Sequence, residues 1–119
     1  MMVLIVIFGG LIIGLLIGFA TGLAYPSEYT FYITVALLAA LDSLVGAARS
    51  QLEGKFSGLV FVTGLIVNTI LAAALTYLGD LLGVPIYYAA IITFGGRLFN
   101  NMAVIRRILM DRYVLKKSE

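Results

Sequence analysis

The 119-residue chain contains no cysteine and no histidine. That excludes disulfides, thiolate nucleophiles, zinc sites of the usual kind and the histidine general base. No Gly-x-Ser-x-Gly, Walker lysine loop or Gly-x-Gly-x-x-Gly occurs. Acidic residues are few and dispersed, so no paired-carboxylate site is visible. The reading is a non-enzymatic protein with no metal and no cofactor. Charged residues make up only 12% of the chain, and the net charge is +2.

What is present is apolar. Hydrophobic residues reach 62%, against about 45–50% in soluble domains. The stretch from Met1 to Ala24 carries no charged side chain, and about 20 apolar residues suffice to cross a bilayer as a helix. It lacks the basic start of a signal peptide and exceeds the usual apolar core of one, so a retained helix is expected. Four such segments are separated by short polar breaks, at about 2–24, 30–48, 56–79 and 85–105, with a basic tail over 106–119. Pro26-Ser27-Glu28 marks a turn, with Ser27 placed to cap the second helix, and Pro85 suits a first helical position. Residues 1–119 thus read as one all-α membrane domain, a small antiparallel bundle of four transmembrane helices. Gly95-Gly96 allows a second version, in which the fourth segment is kinked or re-entrant.

Orientation follows from the basic residues. Seven of the eight lie between the second and third segments (Arg49, Lys55) or in the tail (Arg106, Arg107, Arg112, Lys116, Lys117). With four spans these regions share a side, which places both termini in the cytoplasm. The tail directly follows a helix, so it reads as an anchor on anionic lipid rather than a nucleic-acid site.

Each segment carries a seam of small or polar residues. In the first, Gly10, Gly14, Gly18 and Gly22 stand four apart. In the third, Gly64, Asn68, Ala72 and Thr76 repeat that spacing. Ala39, Asp42, Gly46 and Arg49 form the seam of the second segment, and Ala89, Thr93, Arg97 and Asn101 that of the fourth. Small residues let helix backbones approach closely in lipid, so these faces are expected to meet protein, the glycine seam in a homo-oligomer. Asp42 and Arg97 stand out, because a charge at a span's centre costs about 2.5–3.5 kcal/mol even on a lenient scale. Each lies 12 residues into its segment, about 18 Å deep at about 1.5 Å per residue. Equal depth on helices of one direction implies an ion pair, read either as a register-fixing contact or as a site for an ion or polar headgroup. Alternatively Arg97 snorkels toward the cytoplasmic surface, with Asn100 and Asn101 accepting its hydrogen bonds.

Three blocks carry a family resemblance: Pro26-Ser-Glu-Tyr29, Ala39-Ala-Leu-Asp-Ser-Leu-Val-Gly46 and Arg97-Leu-Phe-Asn-Asn-Met-Ala-Val-Ile-Arg-Arg107. They resemble the bacterial small basic protein family, which also bears a domain-of-unknown-function label, and the likeness extends over nearly the whole chain. The resemblance implies a multi-pass protein of the bacterial plasma membrane, mainly in Gram-positive and related bacteria, encoded near division and envelope genes. It implies no catalytic residues. The leading expectation is a self-associating protein that organises division or envelope membrane proteins. The alternative is a small oligomeric channel or transporter using Asp42 and Arg97. Small multidrug exporters share the length and span count, but they carry an acid in the first helix, and this chain has none there. A lipid-acting enzyme ranks third.

Overall fold

A computed structural model describes residues 2–22, 24 and 26–118, except the side chains of Lys117 and Ser118. Among the described residues there are four helices and no strand. They are α1 (Met2–Thr21), α2 (Thr30–Leu52), α3 (Gly58–Leu82) and α4 (Tyr87–Ser118), with a single 3-10 turn at Ser27–Tyr29. The first three are long and apolar enough to cross a membrane.

The helix ends obey backbone chemistry rather than hydropathy. Gly22 adopts φ 59° just beyond α1, a left-handed conformation that glycine takes without steric cost. It therefore terminates the helix and is not the fourth member of a packing seam on it. Ser27 makes no side-chain cap: its carbonyl accepts from the Thr30 hydroxyl at 2.7 Å, and α2 begins from Tyr29 without a side-chain hydrogen bond. α2 runs on through Arg49, Ser50 and Gln51, which are compatible with helix, and stops before Gly54 at φ 74°. Ser57 accepts from Val60 N at 3.4 Å and caps α3. Gly83, at φ 68°, closes α3 in the left-handed conformation.

α2 is the centre of the bundle. It packs extensively on α3 and α4, while α3 and α4 touch each other little and α1 meets α2 alone among the helices. Tyr32 at the start of α2 donates to Asp80 near the end of α3 at 2.9 Å, so these two helices are antiparallel. Phe31 stacks on Tyr87 with ring centroids 4.3 Å apart, and Arg49 reaches Asn101, so α2 and α4 run parallel. The apolar core lies toward the Tyr32–Asp80 end and joins Val35 and Ala39 of α2, Ala72 of α3, and Ala90 and Phe94 of α4. Small residues at its centre allow three backbones to approach. Gly79 is required there for another reason: a Cβ on it would stand 2.5 Å from the Val84 carbonyl oxygen.

Two expectations for α4 change. Gly95-Gly96 does not break it: the helix is continuous from Tyr87 into the basic tail. Its inward positions at the core are Ala90 and Phe94, whereas Ala89 and Thr93 are exposed. The inward face of α4 runs Ala90, Phe94, Arg97 and Asn101, at intervals of four, three and four, which follows 3.6 residues per turn more closely than a strict four.

Candidate site: a charged cleft between α2, α3 and α4

Below the apolar core, the three inner helices part. Every buried residue of α3 (Ala72, Thr76, Gly79) belongs to its second half, so its first half stands away from α4. The resulting cleft has a volume of about 510 Å³. Its walls combine Asp42, Gly46 and Arg49 of α2 with Gly64 and Asn68 of α3 and Arg97, Asn100 and Asn101 of α4.

The polar seams of α2 and α4 face each other along this cleft. Arg97 Nε lies 3.5 Å from Asp42 Oδ2. One turn on, Gly46 gives room for Asn101, whose Nδ2 would be 3.5 Å from a Cβ on that glycine. Next, Arg49 Nη1 donates to Asn101 Oδ1 at 3.0 Å. The same Arg49 uses Nε for Glu53 Oε1 at 3.2 Å, and Lys55 Nζ stands 3.9 Å from that oxygen. Arg112, farther along α4, donates to the Leu52 carbonyl and ties the basic end of α4 to the end of α2.

The two members of the central pair are unequal. Asp42 is fully buried, whereas the Arg97 side chain is 56% exposed. Neither Asp42 oxygen nor the buried Ser43 hydroxyl has a hydrogen-bond partner among the described residues. Buried polar groups are normally satisfied, and each exception calls for a physical cause. Asp42 is thus held by charge attraction alone, at a distance beyond a normal charge-assisted hydrogen bond of about 2.7–2.9 Å.

The expected site residues divide by place. Asp42, Asn68, Arg97, Asn100, Asn101 and Gly64 all line the cleft. Ala72 is in the apolar core. Gly10 and Gly14 border a second, apolar groove of about 510 Å³ together with Ile7 and Leu11 of α1, Leu37 and Leu44 of α2, and Phe61 of α3. No atom comes within 4 Å of a Cβ built on Gly10, Gly14 or Gly18, so the glycine face is unfilled within the protomer. Arg106, Arg107 and Lys116 are exposed on α4, Arg112 is engaged with Leu52, and the Lys117 side chain falls outside the described residues. Ser43, Glu53 and Phe61 are further lining residues not singled out from sequence, and Lys55, read from sequence only for orientation, lines the cleft as well. Ser43 follows Asp42, and Glu53 is four residues past Arg49 on the same face. Phe61 gives no such signal, because it looks like any other lipid-facing aromatic.

The architecture defines a small all-helical protein with membrane-capable helices and a buried carboxylate opposite an arginine. Residues 25–110 match the family described as "Protein of unknown function (DUF1290)", and the chain belongs to that family. It is 50% identical over 109 residues to the "Small basic protein" of Bacillus subtilis, covering 92% of this chain and 90% of that protein. An uncharacterized protein of Mycobacterium tuberculosis is 37% identical over 101 residues, covering 83% of this chain and 84% of that one. No solved structure matches the chain.

Proposed function

We propose that the chain is a non-enzymatic, multi-pass protein of the bacterial plasma membrane that self-associates through α1 and organises partner membrane proteins. The observation that carries this reading is the state of α1. It is attached to the bundle through α2 alone, and its glycine face overlooks an open apolar groove that no side chain of the protomer fills. In lipid, helix association depends on close backbone packing rather than on hydrophobic burial, so a vacant glycine face suits another helix. The proposed occupant is α1 of a second copy, because it brings the same small-residue face and needs no other partner. The resemblance implies a setting near division and envelope genes, which makes proteins of that machinery the next candidates.

Gly14→Leu and Gly18→Leu test this reading. Open space around both positions means the protomer should fold unchanged, while the added side chains hold a partner backbone away. Native mass measurement in micelles should find an oligomer for the parent chain and monomer for the variants. Equal assembly in all three would reject association through this face.

The channel or transporter reading takes its support from the charged cleft. The core of Val35, Ala39, Ala72, Ala90 and Phe94 stands between the cleft and the opposite end of the bundle. A conducting path would therefore run between protomers, and ion flux in vesicles that is abolished by Asp42→Asn would favour it.

A further inference from the structure

The cleft has three properties that together specify a ligand. The first is charge. Arg49, Lys55 and Arg97 face Asp42 and Glu53, so three cations against two carboxylates leave one formal positive charge. The second is unmet hydrogen bonding. Both Asp42 oxygens and the Ser43 hydroxyl are buried on its inner wall without a partner, and carboxylate oxygens require donors. The third is access. α3 and α4 hardly touch, and Gly64 in the wall of the cleft has no neighbour within 4 Å of a Cβ. The cleft therefore opens sideways, toward what surrounds the helices. Phe61 lines both this cleft and the apolar groove beside α1, so polar and apolar surfaces adjoin there.

A monoanion that also carries hydroxyl donors and stays joined to an apolar chain meets all three. We propose that the cleft binds the phosphoglycerol headgroup of a membrane phospholipid. Arg97 holds the phosphodiester, Asp42 and Ser43 accept from the glycerol hydroxyls, and the acyl chains leave through the gap between α3 and α4. Arg97 is more than half exposed and has room to turn from Asp42 toward a phosphate, which uncovers the carboxylate for the hydroxyls. Arginine suits that task, since its planar fork matches phosphate geometry. The volume of about 510 Å³ falls within the range of about 300–1,000 Å³ usual for small-ligand sites. A phosphoethanolamine headgroup would bring its own cation and leave the positive charge unbalanced. The inference rests on membrane insertion and is independent of self-association.

Native mass spectrometry of the full chain in micelles tests it, with dioleoyl phosphatidylglycerol, phosphatidylethanolamine and phosphatidylcholine added at equal concentration. Phosphatidylglycerol should be retained about ten-fold more strongly than either other lipid, a difference of about 1.4 kcal/mol. Gly64→Leu places an apolar side chain in the cleft, removes no charge and meets no neighbour. It should lose that preference while still floating with liposomes and keeping its helical circular dichroism. Arg106→Gln with Arg107→Gln removes two tail cations that read as general anionic-lipid contacts outside the cleft; it should lower total uptake of phosphatidylglycerol but leave the tightly held lipid, and most of the preference, in place. Preference for phosphatidylethanolamine, or retention by Gly64→Leu equal to the parent, would overturn the proposal. So would equal loss in the Arg106/Arg107 variant, because binding would then be a general surface attraction. Full displacement by chain-free glycerophosphoglycerol at the same concentration would show a free-anion site and overturn the lipid assignment.

Discussion

Removing Arg97 should harm the protein more than removing the charge of Asp42, and the asymmetry can be worked from burial. Asp42 is fully buried and makes no hydrogen bond, and Arg97 Nε at 3.5 Å is its ion-pair partner. Arg97→Gln strands a carboxylate in the interior, and breaking a buried pair in this way costs about 3–5 kcal/mol. Asp42→Asn instead frees an arginine whose side chain is 56% exposed, so that cation keeps contact with its surroundings. The remaining cost is one buried amide lacking a partner, about 1–3 kcal/mol. In the double variant no charge is stranded, so its loss should fall well below the sum of the two single losses, with a coupling of up to about 3 kcal/mol. Unfolding by dodecyl sulfate in mixed micelles, followed by far-ultraviolet circular dichroism, gives all four values. Equal losses for the two single variants, or strictly additive losses in the double, would refute the reasoning. The attraction between the two side chains would then be negligible.

The α3–α4 turn offers a second test: Gly79→Ala forces a Cβ to 2.5 Å from the Val84 carbonyl oxygen and should cost about 1–3 kcal/mol through backbone displacement. Gly83→Ala, at φ 68° with open space around it, should cost about 1 kcal/mol from conformation alone, as the same unfolding assay would show. Ser57→Ala removes the hydroxyl that caps α3 and should cost about 1 kcal/mol or less, with faster hydrogen exchange at Val60 as its local signature. Reporter fusions at Glu119 and at Asp80 should place the C terminus in the cytoplasm and the α3–α4 turn outside. A tail reachable only from outside the cell would reject that orientation.

The physical basis of what sequence reading captured is clear at Asp42 and Arg97. Both stand 12 residues into their segments, and a parallel pair of helices that starts in register at Phe31 and Tyr87 brings them together. Depth was legible because rise per residue is constant. Azimuth was less so. A four-residue stripe on α4 assigned Thr93 inward, whereas the neighbour meets Phe94, because contact between helices follows a period nearer 3.5. Segment ends were also misplaced. Hydropathy falls off at Arg49, yet the backbone continues to Leu52 and yields only before Gly54. In the same way the charges of the tail hid the continuation of α4 to Ser118. Gly95-Gly96 suggested a break because glycine costs about 1 kcal/mol in a helix interior. Contacts on both sides, Ala90 and Phe94 in the core and Asn101 with Arg49, hold the helix continuous through it. The cleft itself could not be read from the sequence, since it arises where α3 leaves α4, and the sequence records faces rather than divergence.

Self-association through the glycine face of α1 is most directly tested by single-cysteine crosslinking in intact membranes, where the absence of native cysteine leaves the parent chain silent. A cysteine at Gly14 should join two copies rapidly on mild oxidation, and a cysteine at Leu16, across the helix, should not. Crosslinking at Leu16 with none at Gly14 would contradict the account.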